Sequence, residues 1–348
     1  MKKAFMLAVT KDYVFAAGNV VLSLKKYMPE NNYDIIIYYD EIDDYDKSIL
    51  EEYHCILKKY EINSAFKKKI VSQRSEFLDI NKQKHFSFLK FAKFEIFSLL
   101  NEYDKVVWLD ADIAVQDSLS DIFHYDCFAI SQDADYTVQN NFLSAIYPYD
   151  MDKKGVCTSV FLVSKSIGNF SHIKDWCYSK TAELAPFLKN IDQGIFNLLL
   201  QEYKIAYTFL DERVYNCFSQ YPMAHIAKIV HFCTPQKVWN NSMLASSFPE
   251  WFRTYKKWIS LGGTSCSMLN FDVINSCAKF IYKDNIINQQ KNKLNILERE
   301  MSDKKNDKKI WKYFILSIPL IKIIKKSRYI KVYLFNFLPL IKIVRNQI

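Results

Sequence analysis

Two aspartates, one residue apart, follow a short apolar segment about a third of the way along the chain. In residues 105–119, KVVWLDADIAVQDSL, the segment 106–109 has the composition of a buried strand, and Asp110 and Asp112 come directly after it. Side chains alternate between the two faces of an extended chain, so both carboxylates point to the same side. Like charges at this separation repel unless a cation or a proton lies between them. The spacing therefore indicates a site for one or the other.

The Asp-x-Asp pair is compatible with three interpretations. Aspartates at strand ends are often solvated turn residues. Phosphatases of the haloacid-dehalogenase type use Asp-x-Asp with the first aspartate as nucleophile, but there the motif normally opens the domain and a Thr or Val usually stands at the position of Ala114. Here about 100 residues precede the motif. Metal-dependent glycosyltransferases use such carboxylates to hold a divalent cation against a nucleotide diphosphate.

The segments around the pair alternate between strand-like and helix-like patterns. Predicted strands cover residues 5–9, 35–39, 106–109, 128–131, 160–164 and 206–210. Predicted helices cover residues 16–27, 46–60, 88–100 and 193–203. This alternation predicts an α/β fold with a mainly parallel sheet and helices on both faces. Ligands bind such sheets at the carboxyl ends of the strands, where Asp110 and Asp112 fall.

The composition is that of a folded protein with a large core. Of 348 residues, 50% are hydrophobic, which suffices for one large domain or two smaller ones and excludes wholesale disorder. The six glycines form neither GxGxxG nor GxxxxGK[ST], so a dinucleotide site of that type and a P-loop are disfavoured. The eight cysteines form no CxxC pair, which favours reduced thiols in a reducing compartment. Residues 4–9 are too short an apolar run for a secretion signal, so we expect a cytoplasmic protein.

The positive charge of the chain lies in its C-terminal tail. The net charge is +9, and residues 302–348 contain twelve Lys and Arg against two Asp. Residues 310–348 mix eight basic residues with aliphatic and aromatic ones, and the pentapeptide PLIKI begins at both Pro319 and Pro339. The apolar runs are too short to span a bilayer. This mixture predicts a helical tail that lies on an anionic membrane surface, and it disfavours nucleic acid as the partner. A helical pair packed on the domain is the alternative.

Three segments occur in the order and at the spacing of a known family. AKFEIFSLLNEYDKVVWLDADIAVQDSLSDIF at residues 92–123, NIDQGIFNLLL at 190–200 and IVHFCTPQKVW at 229–239 resemble glycosyltransferase family 8. This retaining family includes glycogenin and bacterial lipopolysaccharide galactosyl- and glucosyltransferases. The resemblance spans residues 3–239. It implies the GT-A fold, a Rossmann-like sheet of the nucleotide-sugar transferase type, with UDP-sugars as donors.

The resemblance implies a metal site with phosphate-binding residues beside it. Asp110 and Asp112 match the metal-binding carboxylates, and His231 matches a third ligand; two carboxylates and an imidazole suit Mn²⁺, with Mg²⁺ as the alternative. Lys237 matches a lysine that meets the diphosphate, where charge develops on the leaving group. Lys93 matches a basic residue that also reaches the phosphates, although Lys90 is close enough to be the one that does. His231 as a core residue and Lys237 as a surface lysine are the structural alternatives.

A second set of residues is assigned to the sugar and the nucleoside. Asp192 and Gln193 match the Asp-Gln pair of the family, with Gln193 close to the reacting carbon; Asp192 alone could be a helix cap. Asp133 matches a sugar-contacting aspartate, with Asp135 as the alternative. The other residues expected to contact the donor, most of them near the uridine, are Ala8, Thr10, Asp12, Tyr13 and Ala111.

One segment departs from the family pattern. The family commonly has Asn-Ala/Ser-Gly-Val before its central strand, whereas this chain has Cys157, Thr158, Ser159 and Val160. The asparagine contact to the donor or acceptor sugar is therefore missing or replaced. Thr234 also stands where glycine is common. Both changes concern which sugar is used.

These observations together predict a retaining, metal-dependent glycosyltransferase. It would transfer galactose or glucose from a UDP-sugar to a bacterial surface glycan, lipopolysaccharide or capsule, at the inner face of the cytoplasmic membrane, where a lipid-linked acceptor is met. The alternatives are the phosphatase and a non-catalytic, nucleotide-sugar-binding membrane protein. We expect a catalytic domain over residues 1–265, a helical spacer over 266–309 and the membrane-associating tail over 310–348.

Overall fold

The computed structural model describes residues 1–73, 87–269, 273, 292, 295, 321–326, 329–334 and 338–344. The chain divides into two compact units, Met1–Ile281 and Tyr282–Ile348. Most of the predicted spacer lies outside the described residues, so its helical character and the predicted boundaries stay predictions. Among the residues that are described, no helix is both long enough and apolar enough to cross a membrane.

The first unit contains ten strands and nine α-helices in its described part. The strands are β1 Lys3–Val9, β2 Asp34–Tyr39, β3 Cys55–Lys59, β4 Lys105–Leu109, β5 Ile113–Val115, β6 Phe128–Thr137, β7 Lys154–Ser164, β8 Tyr207–Leu210, β9 Cys217–Phe218 and β10 Ile229–His231. The helices are α1 Val14–Tyr27, α2 Asp44–Glu52, α3 Ser64–Gln73, α4 Ile96–Leu99, α5 Phe170–Leu184, α6 Ile191–Glu202, α7 Glu212–Tyr215, α8 Ser242–Ser247 and α9 Pro249–Ser260.

Seven strands form the central sheet in the order β3-β2-β1-β4-β7-β6-β8. β3, β2, β1 and β4 are parallel to one another, and β8 is parallel to β6. β7 runs antiparallel to both of its neighbours. The predicted α/β fold with a mainly parallel sheet is confirmed. A smaller sheet has the order β5-β10-β9 and carries part of the site. All three of its strands follow β4 in the sequence.

The core lies on both faces of the central sheet. Along β1, Phe5 and Leu7 belong to the apolar cluster on one face, and Ala4 and Met6 belong to the cluster on the other. A central parallel strand is covered by helices on both sides, which is why its sequence reads as one apolar run instead of an alternation. The same rule explains the fully buried segment of β4 that leads to the two aspartates.

Two predicted helices differ from the observed elements. The helix predicted over residues 46–60 ends at Glu52, and Cys55–Lys59 forms edge strand β3 after a turn at His54 with φ of 59°. The local pattern of this segment fits a helix as well as a strand. Its backbone hydrogen bonds to β2 therefore determine that it forms a strand. The helix predicted over 88–100 is a 3₁₀ segment, Phe88–Glu95, followed by the single turn of α4.

The second unit contains an antiparallel sheet of three strands in the order β11-β12-β13, with β11 Ile321–Lys326, β12 Tyr329–Leu334 and β13 Leu338–Val344. The predicted helical tail is therefore wrong over these residues. Isoleucine, valine and tyrosine are frequent in these segments, and β-branched and aromatic residues favour strands. The second PLIKI copy lies within β13 and the first runs into β11, so the repeat supplies the two edge strands on either side of β12. Pro339 on an edge strand removes no hydrogen bond from the centre of the sheet.

Candidate active site

The candidate site lies where the strand order of the central sheet reverses. From β1 the chain proceeds to β2 and β3 on one side, whereas β4 lies on the other side of β1. The segments that leave the carboxyl ends of β1 and β4 therefore diverge and leave a crevice between them. Thr10 and the 3₁₀ turn Lys11–Tyr13 follow β1, and Asp110 and Asp112 follow β4. The two segments singled out in the sequence thus line one cleft.

The small sheet brings His231 to the aspartates. β5 starts directly after Asp112 and pairs antiparallel with β10, with Ile113 opposite His231. The backbone N–H of Phe232 donates to the carbonyl of Asp112 at 3.0 Å. The N–H of Asp110 donates to the carbonyl of Ser159 on β7 at 2.9 Å. Backbone hydrogen bonds from two sheets therefore hold both aspartates in place.

Asp110, Asp112 and His231 form a cluster that suits a divalent cation. Each residue offers one ligand atom, and these atoms all lie within 4.8 Å of one another. The side chains of Asp110 and Asp112 are 24% and 23% exposed, so a ligand can reach them from the cleft. Within the described part of the chain, Nδ1 of His231 is buried and has no hydrogen-bond partner. Two carboxylates and an imidazole are a donor set that fits Mn²⁺ or Mg²⁺ with further oxygen ligands from a substrate.

Lys237 and His231 hold Asp112 in its ionised form. Nζ of Lys237 is 2.6 Å from Oδ2 of Asp112, and Nε2 of His231 is 3.5 Å from Oδ1. Burial alone would raise the pKa of Asp112, but His231 and Lys237 lower the pKa well below its ordinary value. Lys237 also donates to the carbonyl of Phe232. Lys237 is therefore a largely buried, ion-paired lysine of the cleft and not a solvated surface lysine.

Lys93 is a buried cation between two carboxylates. Its side chain is 8% exposed, and Nζ lies 3.1 Å from Oδ1 of Asp110 and 2.9 Å from Oδ2 of Asp192. Burial lowers the pKa of Lys93, but the two carboxylates outweigh it and raise the pKa above the ordinary value. Burial would raise the pKa of Asp192, but Lys93, with Lys90 in support, lowers it to about 2. Lys93 thus links Asp110 to Asp192, and Lys90 lies half-buried in the wall of the cleft.

Gln193 follows Asp192 in the first turn of α6 and is fixed by two polar partners. Its side-chain Nε2 donates to Oδ2 of Asp133 at 2.6 Å and to Oδ1 of Asn141 at 3.1 Å. Burial raises the pKa of Asp133, and the hydrogen bond from Gln193 offsets part of this effect. Asp135 is exposed. Of the two aspartates considered from the sequence, Asp133 is the one that the fold places against Gln193.

The segment that departs from the family pattern contributes a hydroxyl to the same network. Thr158 Oγ1 donates to Oδ2 of Asp192 at 3.1 Å and lies 3.4 Å from Nζ of Lys93. Cys157 is buried, with its sulfur 3.2 Å from the hydroxyl of Ser159 and 3.5 Å from Nδ2 of Asn216. Burial raises the pKa of the Cys157 thiol. Thr158 was not among the predicted site residues, and the departure itself was the signal that could have identified it.

The loop after β1 forms the other end of the cleft. Ala8, Thr10, Asp12, Tyr13 and Ala111 all line it, and their predicted contacts with the donor stay predictions. Tyr13 is half-buried and packs edge-on against Trp239, with ring centroids 5.9 Å apart. The cleft encloses about 1990 Å³, more than the ~300–1,000 Å³ typical of a site for one small ligand. It therefore has room for a donor and an acceptor together. Lining residues that the sequence did not suggest include Asp40, Glu41, Thr158, Ser267 and Met268.

Comparisons with known proteins agree with this architecture. The family model described as glycosyl transferase family 8 matches residues 5–243. The galactosyltransferase LgtC, solved with donor and acceptor sugar analogues, has a similar fold: the TM-score is 0.53, the identity 15%, and the match covers 74% of this chain and 99% of that one. The apo structure of the bifunctional glycosyltransferase WbbM gives a TM-score of 0.50 and 16% identity, over 74% of this chain and 51% of that one. No curated protein matches the chain significantly by sequence.

The mainly parallel sheet, with a carboxylate–imidazole cluster at its switch point, has the GT-A fold. The chain belongs to glycosyl transferase family 8. Family membership confirms the resemblance noted from the three sequence segments and argues against the haloacid-dehalogenase-type phosphatase.

Proposed function

We propose that the protein is a retaining, divalent-metal-dependent hexosyltransferase that transfers galactose or glucose from a UDP-sugar to a bacterial surface glycan. The observation that carries this proposal is the convergence of Asp110, Asp112 and His231, from two sheets, at the switch point of the central sheet. The fold shared with a galactosyltransferase supports a hexose as the transferred group. Lipopolysaccharide or capsule is the acceptor class we propose.

The charges along the cleft support a diphosphate between the metal site and the sugar. A Mn²⁺ or Mg²⁺ ion bound by Asp110, Asp112 and His231 would supply positive charge to the diphosphate as it leaves. Lys237, which lies on Asp112, adds a fixed cation on the same side, where negative charge grows during the reaction. Lys93 forms ion pairs with Asp110 and Asp192 that fix the orientation of both carboxylates, and it keeps Asp192 ionised.

The residues on the other side of Lys93 are those we assign to the sugar. Asp192 presents a carboxylate that Lys93 and Thr158 hold in place, and Gln193 presents an amide fixed by Asp133 and Asn141. Groups held in this way orient the anomeric carbon without rearranging during the reaction. Asp192, Gln193 and Lys237 are therefore the residues to which we give catalytic roles.

Retention is proposed to proceed by attack on the face that the diphosphate leaves. The bond between the anomeric carbon and the diphosphate oxygen breaks, and the acceptor oxygen forms its bond on the same face. The acceptor proton passes to the departing diphosphate. A retaining glycosidase would instead place two carboxyl groups about 5–5.5 Å apart across the anomeric carbon, with one as nucleophile. Gln193, the residue assigned next to the reacting carbon, is an amide and a poor nucleophile.

The test is a screen of UDP-sugars for hydrolysis and transfer with and without Mn²⁺. We expect one UDP-hexose to be cleaved in a metal-dependent manner, with chelation abolishing activity and the product anomer showing retention by NMR. Binding of UDP without turnover of any UDP-sugar would contradict the enzymatic proposal and leave a binding role. Turnover that persists after chelation would contradict the role of the cluster.

A further inference from the structure

A short segment that follows α9 returns to the cleft. α9 ends at Ser260, and Ser267 and Met268 line the same cleft as Thr10 and Tyr13. The family match ends at residue 243, so this segment lies beyond it. The predicted catalytic domain also ended two residues before Ser267. The segment thus contributes a wall that neither the family model nor the sequence assigned.

The segment begins at a tightly packed contact between α9 and α1. The ring of Trp258 lies so close to Gly18 and Gly263 that a Cβ on either glycine would be 2.3 Å or 2.1 Å from a ring carbon. The indole N–H of Trp258 donates to the carbonyl of Thr264 at 3.0 Å. The fully buried indole of Trp258 therefore fixes the path of the chain as it leaves α9.

Two further hydrogen bonds fix the next residues. The N–H of Thr264 donates to Oδ1 of Asp46 at 2.6 Å, and Asp46 is only 1% exposed. The N–H of Cys266 donates to the hydroxyl of Tyr255 at 2.9 Å, and Cys266 is itself buried. These anchors come from α2 and α9, two different elements. Ser267 and Met268 are consequently held at the cleft before any ligand binds, which reduces the entropic cost of using them.

The segment lies at the end of the cleft formed by the loop after β1. The N–H of Cys266 donates to Tyr255, and the Tyr255 ring lies 6.0 Å from that of Phe15. Phe15 in turn stacks on Tyr13 with ring centroids 6.1 Å apart, so the segment joins the packing around Tyr13. Ser267 is exposed and Met268 is 37% exposed, so a hydroxyl and a flexible thioether remain accessible at the wall. A thioether packs favourably against an aromatic ring, and a hydroxyl can donate to or accept from a polar edge.

We propose that Ser267 and Met268 bind the nucleoside of the donor. Met268 packs against the planar base, and the Ser267 hydroxyl pairs with a polar atom of the base or the ribose. The assignment rests on the proposed function, because it takes the donor to be a UDP-sugar. The metal site and the sugar-side residues do not involve this segment. Loss of the two side chains therefore weakens nucleotide binding.

The experiment compares Met268→Ala with Met243→Ala by calorimetry in the full-length protein with Mn²⁺. Met243 is 77% exposed and does not line the cleft, so it is a matched control. We expect Met268→Ala to weaken the binding of UDP and of UMP by about tenfold alike, since the lost contact is to the nucleoside. Met243→Ala should bind UDP with the affinity of the wild type. Ser267→Ala should give a smaller loss in the same direction.

The outcomes separate this assignment from the proposed function. If wild-type protein binds UDP and Met268→Ala binds it equally well, the nucleoside assignment is wrong and the glycosyltransferase proposal stands. If Met268→Ala loses affinity for UDP but not for UMP, the segment acts on the diphosphate and the assignment is also wrong. If wild-type protein binds no uridine nucleotide, the UDP donor is wrong and this inference fails with it.

Discussion

The most direct test at the scale of single residues is the charge of the metal cluster. Asp112→Asn keeps the shape of the side chain but removes a ligand charge and the partner of Lys237. We expect metal-dependent donor hydrolysis to fall by more than the ~10–100-fold typical of losing a residue that only supports a ligand. The thermal midpoint should change little, since Asp112 is partly exposed at a strand end. Asp117→Asn, an exposed aspartate a few residues later, is the control. Full activity of Asp112→Asn with Mn²⁺ still required would refute the metal assignment.

Thr158 offers a test of how Asp192 is oriented. Thr158→Val keeps the volume and removes the hydroxyl that donates to Asp192, whereas Thr158→Ser keeps the hydroxyl. We expect Thr158→Val to lower kcat for donor hydrolysis by about tenfold or more, because one hydrogen bond to a charged group contributes about 1.5 kcal/mol or more. Thr158→Ser should restore most of the rate, and UDP affinity should be the same in both variants. A purely structural role would make the two variants differ in stability and not in kcat.

Gln193 separates chemistry from nucleotide binding. Gln193→Ala removes the amide held by Asp133 and Asn141 on the sugar side. We expect kcat to fall by about 10²-fold or more, as for the loss of one oriented polar group at a reacting centre, with UDP affinity within about twofold of wild type. Kinetics with a UDP-hexose and calorimetry with UDP measure the two quantities. Gln220→Ala, at an exposed position outside the cleft, is the control. A large loss of UDP affinity in Gln193→Ala would place the residue on the nucleotide instead.

At the scale of elements, α9 packs closely on α1 because residue 18 of α1 is a glycine and has no side chain. Alanine at Gly18 would normally stabilise a helix interior by about 0.5–1 kcal/mol. Here its Cβ would lie 2.3 Å from the Trp258 ring, and this ring is not the end of a flexible side chain. We therefore expect Gly18→Ala to lower the free energy of unfolding by about 1–3 kcal/mol.

The same contact can be checked by a double mutant. In a Trp258→Leu background the clash is absent, so Gly18→Ala should become neutral or stabilising. Urea unfolding of the two single variants and the double variant measures the coupling. Equal effects of Gly18→Ala in both backgrounds would show that the ring does not determine the cost.

At the scale of the whole molecule, the sheet of the second unit has two chemically different faces. The register places Lys331 opposite Lys342 and next to Ile324, so Lys322, Lys326, Tyr329 and Tyr333 share a face with these two lysines. The other face carries nine residues, of which only Lys325 is not aliphatic: Ile321, Ile323, Lys325, Ile330, Val332, Leu334, Leu338, Ile341 and Ile343. Lysines and tyrosines together suit an anionic lipid surface. The membrane association predicted from the tail thus remains a proposal with a defined face.

Flotation with anionic liposomes tests the proposed membrane surface. We expect wild-type protein to float and the triple variant Lys322→Gln, Lys331→Gln, Lys342→Gln to lose about 3 kcal/mol of lipid binding, roughly 1 kcal/mol per cation. Chain termination after residue 309 should abolish flotation. Both variants should retain transfer to a soluble acceptor.

Three exposed lysines of the first unit, Lys68, Lys69 and Lys256, supply the control when they are changed to glutamine. Their substitution removes as many positive charges as the triple variant of the tail does. Unchanged flotation of this control would therefore show that the tail lysines are the ones that bind lipid. Flotation of the terminated chain would place the lipid contact elsewhere. Loss of transfer to a soluble acceptor would show that the tail is needed for more than membrane binding.

The sequence by itself determined the features that depend on local order. The buried strand β4, the Asp-x-Asp at its end and the Asp-Gln pair at the start of α6 follow from apolar runs and motif spacing that short segments carry within themselves. The order of these segments also sufficed to predict the family and the mainly parallel sheet. Local order did not identify β3, because an edge strand of this kind is specified by its hydrogen bonds to β2.

Only the tertiary structure decided which side chains act together. Lys93, Asp192 and Thr158 come from three separate elements, and their hydrogen bonds join residues 34 to 99 positions apart in sequence. The wall formed by Ser267 and Met268 depends on an indole packed between two glycines and on a buried aspartate in α2. The tail forms strands because hydrogen bonds between its segments satisfy backbone groups that a helix would satisfy within a single segment. Such contacts depend on how segments that are distant in sequence pack together, so they cannot be predicted from any one short segment.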